Sequence, residues 1–517
     1  MGKTKSRFRP FEWTSHPLVY EVNARVLVNE LSLEFGKRVT LATIPDRVID
    51  EWASYGFEAI WLMGVWTTGK TGIEIARSQP SLLDEYRRVL PNFSMEDVVG
   101  SPYSVKSYTV SPRLGRSSDL ASLRRRLARK GMALILDFVS NHTGRDHAWV
   151  TKHPEYYVHG VDGEDRQSPA YYIRVKTSKG ERVIAFGRDP YYPGWTDTAQ
   201  LNILHPETRR AHITDLLKIA GMCDGVRCDM AMLVLKDVFE KTWGERAKPH
   251  DAPPVSEEFW KEAIESVRRD YPSFMFIAEA YWNLEWKLQQ VGFDYTYDKT
   301  LYDRLLREGA SSVYDHLKAE TSYQKHSLRF LENHDERRAA TSLPSQAWNC
   351  AAATIVATVP GMILLHDGQL EGRAIKVPVQ LARRPIEPIN EQLQLFYQRL
   401  LSRVSASVFQ KGEWRLLHTK PAWHDNPTWR NFIAYWWHEQ SAGARLVVVN
   451  YAPQNSQCYV EIDLEGVDGS PIEFHDLMGD ATYVREREAL LNKGMYFDLQ
   501  PYALHIFEVA PSKKPLY

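Results

Sequence analysis

The chain has 517 residues, of which 44% are hydrophobic and 25% charged, with 29 glycines and 28 prolines. This composition excludes a disordered chain, a collagen-like repeat and a coiled coil, and the length suits about three domains or one large barrel with an appendage. Its 64 basic and 65 acidic residues leave a net charge of −1, so no global field favours nucleic acid or anionic lipid. We expect a neutral or small polar ligand, which the 16 tryptophans and 26 tyrosines suit.

The four cysteines, Cys223, Cys228, Cys350 and Cys458, have neither metal-ligand spacing nor the density of a disulfide framework. We predict reduced thiols. The basic N-terminal segment MGKTKSRFRPFEW lacks an apolar signal-peptide core, and no run of 18 or more apolar residues occurs. These features predict a cytoplasmic chain without a membrane partner, and nothing in the sequence indicates the oligomeric state.

Eight short apolar runs alternate with amphipathic segments along the first two-thirds of the chain. This alternation is typical of parallel strands covered by helices. We predict helices over the segments IPDRVIDEWASYG, SDLASLRRRLARKG, PETRRAHITDLLKIAG and SEEFWKEAIESVRRD. The predicted strands are residues 19–28, 57–66, 132–139, 224–231, 274–282, 293–297, 327–334 and 361–368. Eight strand–helix units predict an α/β fold built on a (β/α)8 TIM barrel.

The predicted barrel must contain insertions, because its span far exceeds the roughly 250 residues of a plain barrel. Residues 67–102 hold a helical piece, and residues 140–198 form a long irregular segment after the third strand. We assign the barrel, domain A, to residues 1–139 and 199–404, and the inserted domain B to residues 140–198. Residues 405–517 change to alternating strands, which predicts a C-terminal all-β sandwich, domain C.

Polar residues follow several predicted strands, and we expect them to converge because the C-terminal ends of barrel strands share one rim. Arg227 and Asp229 are two residues apart, so in a strand they face the same way with Cα atoms about 6.6 Å apart. That proximity predicts an ionised Asp229. Glu279 follows three apolar residues, an environment that raises a carboxyl pKa and keeps the group protonated. The other polar residues at the predicted rim are Asp137, Asn141, His142, Asn333, His334 and Asp335.

Four short strings, in this order, resemble the motifs of the alpha-amylase superfamily, glycoside hydrolase family 13. They are DFVSNHT (137–143), GVRCDMAML (225–233), FIAEAYW (276–282) and FLENHDE (330–336). TAQLN (198–202) is similar to the motif that closes the family's domain B, and SPYSVKSY (101–108) resembles a stretch that supplies a tyrosine to the bound sugar. The resemblance spans about residues 19–370, and the β-rich tail resembles the family's domain C.

The resemblance implies a retaining α-glycosidase that hydrolyses α-1,4-linked gluco-oligosaccharides or α-glucan through a covalent glycosyl-aspartate intermediate. It implies that Asp229 is the nucleophile, that Glu279 is the general acid/base, and that Asp335 binds the 2- and 3-hydroxyls. In a retaining enzyme the first two carboxyl groups lie about 5–5.5 Å apart. The implied substrate-binding residues are Arg227, His142, His334, Tyr103 and Asp137, the last fixing the loop that carries His142.

Two positions depart from the family pattern. Met232 and Leu233 stand where many starch-degrading relatives carry a Lys-His pair that contacts the acceptor sugar and a calcium ion. We therefore expect a more apolar acceptor side, and the alternatives remain a glucanotransferase, a maltosyltransferase or an enzyme specific for trehalose or sucrose. A non-catalytic binding subunit is disfavoured because all three carboxylates are present.

No metal or cofactor is predicted. Asn141 matches one calcium ligand of the family, but a calcium site needs six to eight oxygens. The nearby acids of the inserted segment suggest a solvated turn instead, and they are Asp162, Glu164 and Asp165.

Two further groups of residues invite an interpretation. A basic run after the eighth strand is either a solvated surface or a phosphate site, and it comprises Arg373, Lys376, Arg383 and Arg384. Aromatic residues near the predicted rim are candidates for stacking on a sugar ring, namely Trp66, Tyr103, Trp149, Trp195, Tyr281, Trp282 and Trp286. Trp436 and Trp437 are adjacent, so in a strand they face opposite ways and one is expected to be exposed.

Overall fold

Eight parallel strands close into a barrel in the computed structural model, which describes residues 10–512. We number them β1 to β8 in chain order. They are Leu18–Asn23, Ala59–Met63, Ala133–Val139, Gly225–Asp229, Met275–Ala278, Tyr295–Tyr297, Ser327–Arg329 and Met362–His366. Each strand pairs with its neighbours in chain order, and β1 pairs with β8 to close the barrel. The predicted (β/α)8 barrel is confirmed.

The first predicted strand, residues 19–28, is wrong in its second half. β1 ends at Asn23, and a helix follows over Ala24–Glu34. The Asn23 side chain accepts hydrogen bonds from the backbone N–H groups of Arg25 and Val26 at 3.1 and 3.4 Å. A capping asparagine satisfies amides that lack partners in the first turn, so it starts a helix within an apolar run that also suits a strand.

Helices cover the outside of the barrel. The four predicted helices are present as Asp46–Ser54, Ser117–Arg129, Pro206–Ala220 and Phe259–Asp270. Further α-helices are Lys236–Trp243, Glu285–Gln290, Lys299–Arg307, Ala310–Leu317, Thr321–Lys325, Ala339–Ser342, Gln346–Thr358 and Glu391–Val404. None of the helices within residues 10–512 has both the length and the apolar character needed to cross a membrane. All four cysteines are free thiols.

Two insertions lie on either side of β3. Between β2 and β3, the strands Trp66–Thr68 and Val105–Val110 pair, and the predicted helical piece forms Lys70–Ser78 and Pro80–Val89. The segment predicted as domain B has short helices Ala148–Lys152 and Glu164–Gln167. Its strand pairs are Tyr172–Thr177 with Gly180–Ala185, and His142–Gly144 with Thr198–Gln200. The second pair joins the two ends of the insertion, so domain B leaves and rejoins the barrel at one place.

Two antiparallel sheets form the C-terminal part, which confirms the predicted β domain. Short helices at Ser407–Lys411 and Arg487–Lys493 were not predicted. The larger sheet contains Glu413–Leu416, Phe432–Glu439, Gly443–Asn450, Ile472–Asp476, Thr482–Arg485 and Leu504–Pro511. The smaller contains Thr419–Pro421, Ser456–Val460 and Met495–Leu499. The ends of the predicted domains at residues 1–9 and 513–517 lie outside the described residues.

Trp436 and Trp437 face opposite sides of the larger sheet as predicted, but neither is exposed. Each retains 1% of its accessible surface. Trp436 packs between the two sheets, whereas Trp437 packs against the barrel helices and donates from Nε1 to the carbonyl oxygen of Thr358 at 2.7 Å. The larger sheet is therefore covered on both faces, and its core is continuous with that of the barrel.

Candidate active site

The polar residues predicted to converge lie at the C-terminal ends of adjacent strands. Parallel pairing places Arg227 of β4 opposite Asp137 of β3. The backbone N–H of Glu279, which directly follows β5, donates to the carbonyl oxygen of Cys228 at 3.1 Å. Strand register therefore brings Asp229 and Glu279 side by side, as the barrel rule predicts.

Arg227 is fully buried and contacts three carboxylates. Its Nη1 atom lies 2.7 Å from Oδ1 of Asp229 and 3.8 Å from Oδ1 of Asp137. Its Nη2 atom lies 2.8 Å from Oε2 of Glu279. Burial alone lowers the pKa of Arg227, but Glu279, two tyrosines and Asp229 raise it well above its usual range. One permanent cation therefore sets the positions of the two carboxyl groups that sequence reasoning selected for chemistry.

An aromatic enclosure surrounds this guanidinium. The rings of Trp61 and Tyr103 each lie 5.3 Å from the guanidinium carbon of Arg227, and the ring of Tyr297 lies 5.7 Å away. Nε of Arg227 donates to the hydroxyl of Tyr297 at 3.2 Å. Cation–π contacts of this kind favour a desolvated cation. Trp61 and Tyr297 lie within β2 and β6 and belong to no motif, so sequence reasoning missed them.

Glu279 is 2% exposed and carries a perturbed carboxyl group. Burial raises its pKa to about 7, with Asp229 adding to the rise and Arg227 opposing it. Its Oε2 atom accepts from the backbone N–H of Met230 at 2.6 Å, and its Oε1 atom accepts from the hydroxyl of Tyr281 at 2.9 Å. The group is therefore poised to give or take a proton near neutral pH, as its apolar neighbours in sequence predict.

His334 is buried and held at both ring nitrogens. Nδ1 lies 2.5 Å from Oε1 of Glu21, and Nε2 lies 2.6 Å from the hydroxyl of Tyr103 and 2.9 Å from Oδ2 of Asp335. Burial alone lowers the pKa of His334, but the two carboxylates raise it to about 10. Burial likewise opposes ionisation of Asp335, yet His334 holds the pKa of that carboxyl well below its usual range. The side chain of Asp335 is 44% exposed, so an ionised carboxylate faces the open side of the site.

Glu21 is the second partner of His334 and was not predicted. It lies in β1 and is completely buried. A charged residue inside an apolar strand is a usable signal, because a buried carboxylate requires a partner. The sequence does not show which residue, 313 positions away, supplies that partner.

We expect Glu21→Gln to lower the pKa of His334 well below 10, because one of the two carboxylates that raise it is lost. His334 has a higher pKa in the folded protein than in the unfolded chain, so its protonation stabilises the fold. This stabilisation is fully present below about pH 6.5 and is lost as the pH rises through about 10. In the variant this loss moves to lower pH, and the free energy of unfolding at pH 8 falls by about 1–3 kcal/mol. Histidine NMR titration and urea unfolding measure both effects. An unchanged His334 titration would contradict the assignment, and His16, whose pKa burial lowers to about 4, is an internal reference.

Asp137 and His142 are two further buried residues of the predicted site. The Asp137 carboxyl accepts from Nε1 of Trp61 at 3.2 Å, and burial raises its pKa to about 7. His142 is 3% exposed, and burial lowers its pKa although the charge of Asp229 opposes that shift. Its ring centroid lies 5.1 Å from that of Trp195. The structure thus brings together all eight residues predicted for the site.

The predicted rim aromatics separate into supporting and exposed residues. Trp66 is 2% exposed and donates from Nε1 to the carbonyl oxygen of Asp137 at 2.7 Å, so it supports β3 and offers no ring face to a ligand. Trp149 packs edge-on against Tyr156 at 5.4 Å. Trp286, in contrast, is 48% exposed.

Trp282 and Tyr191 form an exposed aromatic pair. Their ring centroids lie 5.1 Å apart in an edge-to-face arrangement. Trp282 follows Glu279 by three residues, and it and Asn283 have φ angles of 62° and 60°, a left-handed conformation that bulky residues rarely adopt. Tyr191 belongs to domain B, and sequence reasoning missed it because only the fold brings that loop to the end of β5.

Met232 and Leu233 do not form an apolar acceptor surface, contrary to expectation. They lie in a tight turn over Ala231–Val234 and are 0% and 3% exposed. The turn follows Met230, whose φ of 44° reverses the chain directly after β4. Both side chains therefore point into the core.

The residues that resemble a calcium site do not fit one. Oδ1 of Asn141 accepts from Nε2 of Gln200 at 2.9 Å. The acids expected to lie in a solvated turn also pair with arginines, Asp162 and Asp165 with Arg174 and Glu164 with Arg246. These oxygens already serve protein donors, and no group of three or more His, Cys, Asp or Glu residues within residues 10–512 is placed to hold a metal.

Two of the four residues in the basic run after β8 are paired with carboxylates, so the run as a whole is not a freely solvated surface. Lys376 donates from Nζ to the backbone carbonyl of Asp335. The two later arginines pair with carboxylates, Arg383 with Asp97 and Arg384 with Glu30 and Asp367. These contacts fix the loop after β8 against the rim.

Comparison with known proteins agrees with this geometry. The family model for the catalytic domain of alpha-amylase matches residues 52–380. Alpha-amylase MalA of Haloarcula japonica is 23% identical over 487 residues, which cover 91% of this chain and 61% of the relative. An alpha-1,4-glucan:maltose-1-phosphate maltosyltransferase of Bifidobacterium longum is 24% identical over 190 residues, which cover 36% of this chain and 20% of the relative.

A solved structure shares the fold over nearly the whole chain. The maltogenic alpha-amylase AmyB of Thermotoga neapolitana superposes with a TM-score of 0.66 at 19% identity, covering 95% of this chain and 98% of that one. The matched family model contains the strand ends that carry Asp137, Arg227, Asp229, Glu279 and His334, and it extends over more than half of the chain. The chain therefore belongs to the alpha-amylase family.

Proposed function

We propose that the protein is a retaining α-glycosidase acting on α-1,4-linked gluco-oligosaccharides or α-glucan. The observation that carries the proposal is the pair of unlike carboxyl groups on one guanidinium. Arg227 pairs with Asp229 at 2.7 Å and with Glu279 at 2.8 Å, while burial raises the pKa of Glu279 to about 7. Retaining cleavage needs one ionised carboxylate as nucleophile and one protonated carboxyl as acid.

In the first step, a carboxylate oxygen of Asp229 attacks the anomeric carbon as the bond to the leaving oxygen breaks. Glu279 gives its proton to that oxygen, so the released chain leaves as a neutral alcohol. In the second step, the ionised Glu279 takes a proton from water or from a sugar hydroxyl. The resulting oxygen nucleophile attacks the anomeric carbon and releases Asp229.

The remaining site residues bind the sugar that is being cleaved. Asp335 presents an ionised, partly exposed carboxylate to hydroxyl groups, and His334 holds it in place at 2.9 Å. Tyr103 is fixed by its 2.6 Å hydrogen bond to His334, which leaves its ring to contact the apolar face of a sugar. Burial lowers the pKa of His142, which favours its neutral form.

The acceptor side supports a second candidate, transfer of the glycosyl group to another sugar. Trp282 and Tyr191 are 39% and 65% exposed, and Trp282 follows the proposed proton donor Glu279 by three residues. An aromatic pair in this position favours binding of an incoming sugar ring over water. The similarity of this chain to the maltosyltransferase of Bifidobacterium longum is consistent with this alternative.

Product analysis tests the proposal. We expect maltoheptaose to yield products whose new reducing ends are first α-anomers by proton NMR. Products longer than the substrate would indicate transfer, and shorter products alone would indicate hydrolysis. An initial β-anomer would contradict the retaining mechanism, and no turnover of any α-glucan would contradict the proposed function.

We expect Trp282→Ala to lower the ratio of transfer to hydrolysis products from maltotriose by up to about tenfold, because one aromatic contact contributes about 0.5–1.5 kcal/mol beyond its buried area. Quantitative chromatography of the products measures the ratio. Trp286→Ala is the matched control, because Trp286 is similarly exposed but lies over Tyr323. An equal change in both variants would contradict a role for the Trp282–Tyr191 pair.

A further inference from the structure

A cavity of about 330 Å³ lies between the barrel and the C-terminal sheets, outside the site around Arg227. One wall is the barrel helix Ala310–Leu317, which contributes Tyr314. The other wall comes from the C-terminal domain and includes His418 and Trp429. Its volume is at the lower end of the range for small-molecule sites.

Two aromatic rings line this cavity, and a cation lies beside each. Nζ of Lys318 is 4.9 Å from the ring centre of Tyr314, and the guanidinium carbon of Arg430 is 5.2 Å from that of Trp429. Both cations are exposed, whereas both rings are half-buried. Cation–π contacts thus hold flexible donors next to flat apolar surfaces.

The polar groups of the cavity include both donors and acceptors. The Tyr314 hydroxyl and Nδ1 of His418 lie 3.1 Å apart. Lys318 Nζ lies 2.7 Å from Oδ1 of Asp315, and these two charges cancel. Arg430 remains as the one cation among the lining residues without a carboxylate partner there. The lining therefore carries one uncompensated positive charge and several hydrogen-bonding groups.

A further hydrogen bond joins the two walls, and another lies within the C-terminal wall. Ser311 Oγ of the helix donates to the carbonyl oxygen of Arg430 at 3.5 Å. The carbonyl oxygen of Trp429 accepts from Oγ1 of Thr419 at 3.1 Å. Phe432, which is 1% exposed, closes the floor. A preformed cavity loses little freedom when a ligand binds.

We propose that this cavity is a second carbohydrate-binding site, which holds one or two glucosyl units of an α-glucan chain while another part of the chain is cleaved. A sugar ring has an apolar face for Trp429 or Tyr314 and a hydroxyl edge for Asp315, Lys318 and His418. The inference rests on the proposed function for the identity of the glucan. It adds a site that lets the C-terminal domain act on polymeric substrates.

The test compares a polymer with a short substrate. We expect Trp429→Ala to lower kcat/KM on amylopectin by about three- to tenfold, and to leave kcat/KM on maltotriose within twofold, since maltotriose is too short to occupy both sites. A second variant combines Asp315→Ala with Lys318→Ala. We expect it to lower kcat/KM on amylopectin less than Trp429→Ala does. Both residues are exposed, so folding is spared. Trp423→Ala is the matched control, because Trp423 is 55% exposed in the same domain but outside the cavity.

Binding measurements separate this inference from the proposed function. Calorimetry with maltoheptaose is expected to find two sites on the Asp229→Asn protein and one after Trp429→Ala is added. If the wild-type protein turns over no α-glucan, the proposed function is wrong. The number of maltoheptaose sites still shows whether the cavity binds a glucan. The inference is overturned if the ratio of kcat/KM on amylopectin to kcat/KM on maltotriose is unchanged in folded Trp429→Ala. It is also overturned if the cavity binds inorganic phosphate in place of maltoheptaose.

Discussion

Replacing Asp229 by alanine is expected to lower kcat on maltoheptaose by about 10⁴-fold or more, the scale seen when a catalytic nucleophile is removed. The reason is geometric. Asp229 is 5% exposed at the end of β4, and Arg227 holds its Oδ1 atom at 2.7 Å. Within residues 10–512, no other carboxylate pairs with the same Nη1 atom at this distance, since Asp137 lies at 3.8 Å. Steady-state kinetics with chromatographic product detection measures the loss.

A chemical rescue distinguishes a lost nucleophile from a damaged fold. Azide is small enough for the space left by the Asp229 side chain, and with α-maltosyl fluoride it is expected to give a β-maltosyl azide. Asp237→Ala is a suitable control, because Asp237 is an exposed carboxylate paired with Lys287 at 2.5 Å. Activity of Asp229→Ala close to that of this control would refute the nucleophile assignment.

Glu279→Gln is expected to reduce kcat/KM on maltoheptaose by about 10²–10⁴-fold, the usual contribution of a general acid. The amide keeps the shape of the side chain but has no proton to give. On α-maltosyl fluoride the loss should be far smaller in the first step, because fluoride leaves without protonation. Pre-steady-state release of fluoride measures that step.

The pH dependence follows from the same carboxyl group. Burial raises the pKa of Glu279 to about 7, so its acid form predominates below that pH and declines above it. We therefore expect kcat/KM of the wild-type protein on maltoheptaose to fall as pH rises through about 7. Glu279→Gln should lack this decline, because the amide does not titrate. A variant that retains the same basic limb would show that another group is the acid.

The remaining two carboxyl positions show how far motif reasoning reaches. The strings around residues 137–143 and 330–336 predicted that Asp137 lies near the end of β3 and that Asp335 follows β7, because short motifs encode residue types at fixed backbone positions. The partners of those side chains lie elsewhere. Glu21 binds His334 from β1, and Trp61 binds Asp137 from β2. Neither residue stands in a motif, since its role depends on barrel closure.

Local sequence also misjudged several environments. The apolar Met232 and Leu233 suggested an apolar surface, but the turn after β4 directs both into the core. Adjacent tryptophans in one strand suggested an exposed ring, but the C-terminal sheet has a neighbour on each face. The alternation of residues along a strand predicts which face of the sheet a side chain lies on. It does not predict what packs against that face.

The sequence by itself determined the barrel and the C-terminal strands, and it predicted the insertion after β3 and the eight residues of the candidate site. These follow from hydrophobic periodicity and from motifs at strand ends, both of which are local properties of the chain. Only the tertiary structure decided several charges and exposures: the second carboxylate on His334, the burial that raises the pKa of Asp137, and the pairing of Tyr191 with Trp282. The physical reason is that ionisation and exposure depend on desolvation and on neighbours distant in sequence, which only a closed barrel brings together.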